Sequence, residues 1–255
     1  MEEVADAIVF DKAHQHDVTV CVKFYPGENG ANRGIVNEIT GWLISKALKI
    51  PQPERAYLVQ VPMAQIPLPK APWLKTVRRE AKHYWAFATL KMPAESAAIK
   101  FDRVDIPLLV DDIKTWASLP HAVALDEHIA NTDRHLNNLL RLGSGNYALI
   151  DNGRLAVEGH QANWVLTDLD ANRRYTNQLS QTWLGPECRN NANANHAIAA
   201  SDSHPDALAV VQEELQEWWK RLIPDPGDRA AFSHFVEERS RILSTLLKER
   251  FHLIV

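Results

Sequence analysis

The alternation of apolar and polar positions divides the chain into a strand-rich first part and a helical remainder. Residues 17–24, DVTVCVKF, are β-branched and apolar with Lys23 near the end, which predicts a strand. YPGENGANRG follows and carries Gly27, Gly30 and Gly34, the composition of a turn. Over 36–50, Ile39, Trp42, Leu43, Ala47 and Ile50 recur at helical spacing, and Pro51 ends the run. AYLVQV (56–61) and HYWAFATLKM (83–92) predict two further strands. Six prolines between Pro51 and Pro72 break the chain around the first of these into loop. After residue 93 the period becomes helical. Segments 110–119 and 121–130 are amphipathic, and 205–222 and 227–252 strongly so. In the last, Phe232, Phe235, Val236, Ile242, Leu243, Leu246 and Leu247 make one apolar stripe. Between the helices, LNNLLRL, a Gly-Ser-Gly turn and NYALID read as a β-hairpin. The segment NNANANHAIA (190–199) has low complexity and reads as a mobile loop. The expected class is α+β, with a small lobe over 1–92, a larger helical lobe over 93–255, and a cleft between them.

Composition narrows the partners more than the fold. With 255 residues, 45% apolar and 24% charged, the chain can bury a real core and is not of the disordered class. A net charge of -4 gives no electrostatic reason to expect nucleic acid or an anionic membrane as the main partner. Cys21 and Cys188 make neither a disulfide framework nor a metal-ligand spacing, and read as reduced thiols of a cytoplasmic protein. The acidic start MEEVADAIVF lacks the basic segment of a signal peptide, and no run approaches the length of a membrane-spanning helix.

The chemistry concentrates in HIANTDRHLNNLLRLGSGNYALIDNGRLAV, residues 128–157. Phosphoryl transfer of the kinase kind needs few side chains. A lysine holds the α- and β-phosphates, a helix glutamate holds the lysine, an aspartate takes the hydroxyl proton, and an asparagine and a second aspartate hold magnesium. The catalytic loop H-R-D-x-x-x-x-N separates its aspartate and asparagine by five residues. Asp133 and Asn138 have that separation, and Asp151 follows the hairpin as I-D-N-G, in the style of D-F-G. Upstream, Lys23 ends a strand and Glu38 lies near the start of the next helix. Singly, each has a plainer role: edge charge, helix-dipole partner, helix cap, turn residue. The ordered set is far more specific than its members.

D-R-H-L-N-N followed by I-D-N-G resembles the HipA-like kinases and, more remotely, the phosphatidylinositol 3/4-kinase group, whose catalytic loops read D-R-H. VKFYPGENGANRGIVNEITGWLISKALKIPQPERAYLV looks like the lysine strand, turn, N-E helix and proline-marked exit of the HipA family. The resemblance spans about residues 17–157. It implies a two-lobed, protein-kinase-like fold of HipA type that uses ATP and Mg2+. It implies Asp133 as the base or hydroxyl-orienting residue, Asn138 and Asp151 as magnesium ligands, and Lys23, fixed by Glu38, on the phosphates. His135 would brace the catalytic loop, Arg134 would bond carbonyls or the cleft wall, and the backbone of Thr89, Leu90, Lys91 and Met92 would meet the adenine. It further implies a hydroxyl-bearing acceptor, foremost Ser or Thr of a protein, and a toxin-like or regulatory role with an antitoxin-like regulator. A small-molecule or lipid acceptor, and a degenerate kinase fold acting as a binding module, are the alternatives. The chain departs from protein kinases in having no glycine before Lys23, where G-x-G-x-x-G is expected.

Weaker constellations have plainer readings. His14, His16 and Asp17 read as surface polar residues rather than a metal site. Trp218 and Trp219 read as a core face plus one partly exposed ring, and Asp168 and Asp170 as loop caps.

Overall fold

The computed structural model describes residues 3–26, 32–66, 82–97, 106–159, 163–184 and 192–253. The chain is mixed α+β. Strands β1 (Glu3–Asp11), β2 (His16–Phe24), β3 (Ala56–Pro62) and β4 (His83–Leu90) form an antiparallel sheet in the order β1-β2-β4-β3. Helix α1 (Arg33–Ala47) connects β2 to β3. The short strand β5 (Glu95–Ser96) pairs with the hairpin β6 (Leu139–Gly143) and β7 (Asn146–Leu149) in a second sheet. The helices are α2 (Ile106–Lys114), α3 (Leu119–His128), α4 (Gln178–Leu184), α5 (Ala192–Ser201), α6 (His204–Leu222) and α7 (Pro226–Arg250). Among the described residues no helix is long and apolar enough to cross a membrane.

Period-two alternation sets the faces of the first sheet. Val18, Val20, Val22 and Phe24 of β2 are buried with Ala86, Ala88 and Ile66 on one side. Lys23 faces the other way, opposite Phe87 of β4, toward the core that α1 shares with the helices. Asn32 caps α1 by accepting from the Ile35 amide, and Ile35, Val36, Ile39, Leu43 and Ile44 bury the helix. α1 packs on α6, where Trp219 Nε1 donates to Thr40 Oγ1 at 2.9 Å. Arg33 adds an ion pair to Asp228 at 2.9 Å, at the start of α7. The helix bearing Glu38 is thus tied to the C-terminal helices.

Several elements differ from the sequence pattern. β1 is absent from it, because Ile8 and Phe10 face solvent while Ala7 and Val9 lie beneath, so apolar residues occupy both faces. α1 begins three residues earlier than expected, which puts Glu38 in its second turn and Gly34 in its first. The 110–119 helix is shifted to Ile106–Lys114, and the chain re-enters a helix at Leu119 with Pro120 in its first turn. Most of the expected mobile loop at 190–199 is helix α5, whose Ala194, Ala197 and Ala200 pack on α3 and α7. Alanine is the best helix former, and the three-residue spacing gives it a buried face. Gly27, Gly30 and Cys188 lie outside the described residues.

Candidate active site

The end of β2 delivers Lys23 to α1, and its Nζ stands 2.6 Å from Glu38 Oε1 and 3.1 Å from Asp151 Oδ1. One ammonium is held between two carboxylates. Glu38 is saturated from other directions as well: Tyr25 OH donates to its Oε1 at 2.6 Å, and the Asn152 amide donates to its Oε2 at 3.0 Å. Tyr25 lies two residues beyond Lys23 along the extended chain and so projects to the same side. Gly34 and Gly153 flank its ring so closely that a Cβ at either position would overlap it. The sequence reading missed Tyr25, although the period-two register from Lys23 is a signal that finds it.

The I-D-N-G turn is fixed on every side. Asn37 donates to the Gly153 carbonyl at 2.8 Å, and Trp164 Nε1 holds the Asn37 oxygen at 3.0 Å. Asp151 has φ 68°, the left-handed region that costs a non-glycine residue energy and concentrates at functional sites. Its Oδ1 accepts from the Gly153 amide at 3.2 Å. Burial pushes the Asp151 carboxyl upward, but the charge and hydrogen bond of Lys23 and the Gly153 amide outweigh it and hold it below the usual carboxylate range.

Arg134 organises the loop before it. The side chain is fully buried, and its guanidinium pairs with Asp126 of α3 at 3.1 Å. It also donates to the Ile150 and Asp151 carbonyls and to Asn152 Oδ1 at 2.6 Å. Arg134 therefore bonds carbonyls of the Asp151 segment directly. Burial raises the Asp126 carboxyl to about 6, against the pull of Arg134. The His135 amide donates to the Asp133 carbonyl and its own carbonyl accepts from the Asn138 amide, both at 2.8 Å. Its imidazole is exposed.

Asp133 stands half-exposed, its amide fixed by Asn131 Oδ1 at 3.0 Å. Asn138 is buried, and its Nδ2 donates to the Asp133 carbonyl at 2.7 Å, which leaves its side-chain oxygen as the end open to a cation. The Asn138 carbonyl accepts from the Ile150 amide at 3.2 Å, so Asn138 is tied to the residue before Asp151 at the base of the hairpin. An amide oxygen and a carboxylate form the hard oxygen donor set that suits Mg2+, which keeps most of its remaining positions for water and phosphate. The residues therefore fit that ion, and the one lysine among Glu38 and Asp151 leaves negative charge for it to offset.

The segment expected to meet a nucleobase is partly committed elsewhere. Thr89 and Leu90 are in β4, paired with β2 on one side, and Thr89 pairs with Ala56 of β3 on the other. The Leu90 amide donates to the Arg55 carbonyl and the Lys91 amide to the Thr19 carbonyl, each at 2.9 Å. Met92 lines a cavity of about 490 Å³ together with Lys91, Pro93, Glu95, Arg141 and Leu142.

The weaker constellations keep their plain roles. Asp168 caps its turn by accepting from the Val165 amide, and Asp170 does the same for Asn172. Trp219 is buried and Trp218 partly exposed. His14 Nδ1 lies 3.0 Å from Asp11 Oδ2, and among the described residues no group of three or more His, Cys, Asp or Glu is arranged to hold a metal.

No protein-family model matches the sequence, and no curated protein does either. Among solved structures the chain is similar to MAP kinase LmaMPK10 from Leishmania major, at 10% identity over 99% of this chain and 80% of that one, with a TM-score of 0.32. A likeness that remote carries no weight beside the geometry of the site itself.

Proposed function

We propose that the protein is an ATP- and Mg2+-dependent kinase that transfers the γ-phosphoryl group to a hydroxyl, foremost Ser or Thr of a protein. The observation that carries this reading is the Lys23 ammonium held between Glu38 and Asp151, with Asp151 tied through Arg134 to the Asp133 loop. In this reading Lys23 grips the α- and β-phosphates, and Glu38 and Tyr25 keep it aimed. Asn138 and Asp151 would hold Mg2+, which when bound offsets phosphate charge. Asp133 orients the acceptor hydroxyl and takes its proton as the oxygen attacks. The D-R-H loop and the resemblance to HipA-like kinases further support a two-lobed division at residues 92 and 93, a cytoplasmic setting and a regulator of antitoxin type.

The test is transfer of labelled γ-phosphate, wild type against Asp133→Ala, with Mg2+ and cell lysate as the acceptor pool. Label on a protein band with wild type only is the expected result. Label on small molecules or lipid alone would move the acceptor class. Nucleotide binding without any transfer would make the chain a binding module.

A further inference from the structure

The sequence reading of the site left out Arg154, three residues after Asp151. Its position is fixed by a short antiparallel pairing of the two functional loops. The Thr132 amide donates to the Arg154 carbonyl at 3.2 Å, Asn131 and Leu155 form a bridge, and the Ala156 amide donates to the Ala130 carbonyl at 2.9 Å. Leu155 and Ala156 are fully buried, so the pairing is anchored in the core. Ala130 and Ala156 close it with φ of 52° and 55°, both in the left-handed region. Alanine in that conformation costs about 1–2 kcal/mol per residue, and such strain persists where a segment's course is over-determined by its surroundings.

This pairing sets the two side chains next to each other. Arg154 Nη1 lies 3.8 Å from Asp133 Oδ2, and both side chains are about a third exposed, at 30% and 31%. Arg154 Nη2 donates to the Gly159 carbonyl at 2.6 Å, which holds the guanidinium from behind. A distance of 3.8 Å is a charge contact longer than a hydrogen bond. The other two cations of the site lie elsewhere in it: Lys23 against Glu38 and Asp151, Arg134 against Asp126 and the carbonyls. Among the described residues Arg154 is the cation within 4 Å of the Asp133 carboxylate.

We propose that Arg154 is a catalytic residue that contacts the transferring phosphoryl group beside Asp133, a role that rests on the kinase reading above. In that step the acceptor oxygen bonds to the γ-phosphorus while the bond from phosphorus to the β,γ-bridging oxygen breaks. The nucleoside diphosphate leaves with the electron pair, and the hydroxyl proton passes to the Asp133 carboxylate. Negative charge gathers on the three equatorial oxygens, where a planar guanidinium is the matching donor. The competing account is an ordinary exposed ion pair, which is worth little to stability and nothing to chemistry.

The experiment measures single-turnover loss of the γ-phosphate from Mg-ATP, with lysate proteins as acceptors, for wild type, Arg154→Lys, Arg154→Ala and Asp133→Ala. Arg154→Ala is expected to slow turnover by about 10²–10³-fold, with Mg-ATP affinity and melting temperature near wild type. Millimolar guanidinium, far below denaturing levels, should restore part of the rate in Arg154→Ala and none in Asp133→Ala. Wild-type rates in Arg154→Ala, or a loss that follows unfolding and is not rescued, would overturn the role of Arg154 while leaving the kinase reading standing. No turnover by the wild type would overturn both.

Discussion

Two buried clusters of opposite charge lie in this molecule, and they are built on opposite principles. Around α3 and α7, Arg239 is fully buried and donates to the Glu127, His128, Ala171 and Arg173 carbonyls and to Glu127 Oε1. Glu127 Oε2 takes Arg250 at 2.5 Å, with Asn177 beside it. Two cations meet one carboxylate, and backbone carbonyls absorb the excess positive charge. At the end of β2 the ratio is reversed: one ammonium, Lys23, faces two carboxylates, Glu38 and Asp151. The first cluster is complete as it stands and clamps helices together. The second is left with net negative charge and with a residue, Asp151, at positive φ. A buried network that is closed reads as scaffold, whereas one short of a cation reads as a place for one.

The strongest way to break this contrast is to open the closed cluster. Arg239→Leu removes one of the two cations from the buried Glu127 and takes a donor from four carbonyls. Loss of one partner from a buried pair costs about 3–5 kcal/mol, read as the shift in urea midpoint. The remaining folded fraction should bind Mg-ATP normally. A loss of nucleotide binding larger than the loss of folded protein would mean that the two clusters are not independent.

A second effect, slightly smaller, separates the clusters by pH. Beside Arg239, His128 Nε2 donates to the Val236 carbonyl and His128 Nδ1 shares a hydrogen bond with His204 Nδ1, both at 3.0 Å. Burial drives the His128 imidazole down to about 4, with the nearby Arg239 charge adding to the effect and the Val236 carbonyl opposing it. His204 is likewise held well below the ordinary imidazole range by burial and by its histidine neighbours. Because the folded pKa is depressed, the unfolded chain binds more protons between about pH 6.5 and 4, and stability falls as pH drops through that window. His128 alone accounts for about 3 kcal/mol by pH 4. Asp126, raised to about 6, acts in the opposite direction over part of the same range. The measurement is therefore the difference between wild type and His128→Gln, which should shrink by that amount on acidification. A difference independent of pH would refute the neutral pair.

How much of this was legible beforehand depends on whether a residue's role follows chain spacing. Lys23, Glu38, Asp133, Asn138 and Asp151 lie on segments whose internal geometry fixes their spacing, so their order was visible. The structure brings Lys23, Glu38 and Asp151 into contact and links Asn138 to Asp133. Arg154 was not visible, because its place beside Asp133 comes from pairing between 130–132 and 154–156, which no local pattern encodes. Arg239 lies 66 to 112 residues from the carbonyls it holds, beyond the reach of any motif. Helix α5 was misread because its Asn- and Ala-rich composition masked three alanines in register.

The smallest change in stability should accompany the largest change in binding. Asp151→Asn removes one carboxylate from Lys23 but keeps an oxygen able to accept from the Gly153 amide. Asparagine also tolerates the left-handed backbone at this position as well as any residue with a side chain. Because Lys23 retains Glu38 at 2.6 Å, no buried charge is left alone. The melting curve without ligand should move by no more than about 1 kcal/mol, the usual worth of one hydrogen bond. The stabilisation by Mg-ATP, about 2.7 kcal/mol at a hundredfold excess over Kd, should collapse to that of ATP without magnesium. Unfolding of this variant would instead place Asp151 with Arg239, as scaffold, and the distinction between a closed and an open cluster would fail at the residue that best defines it.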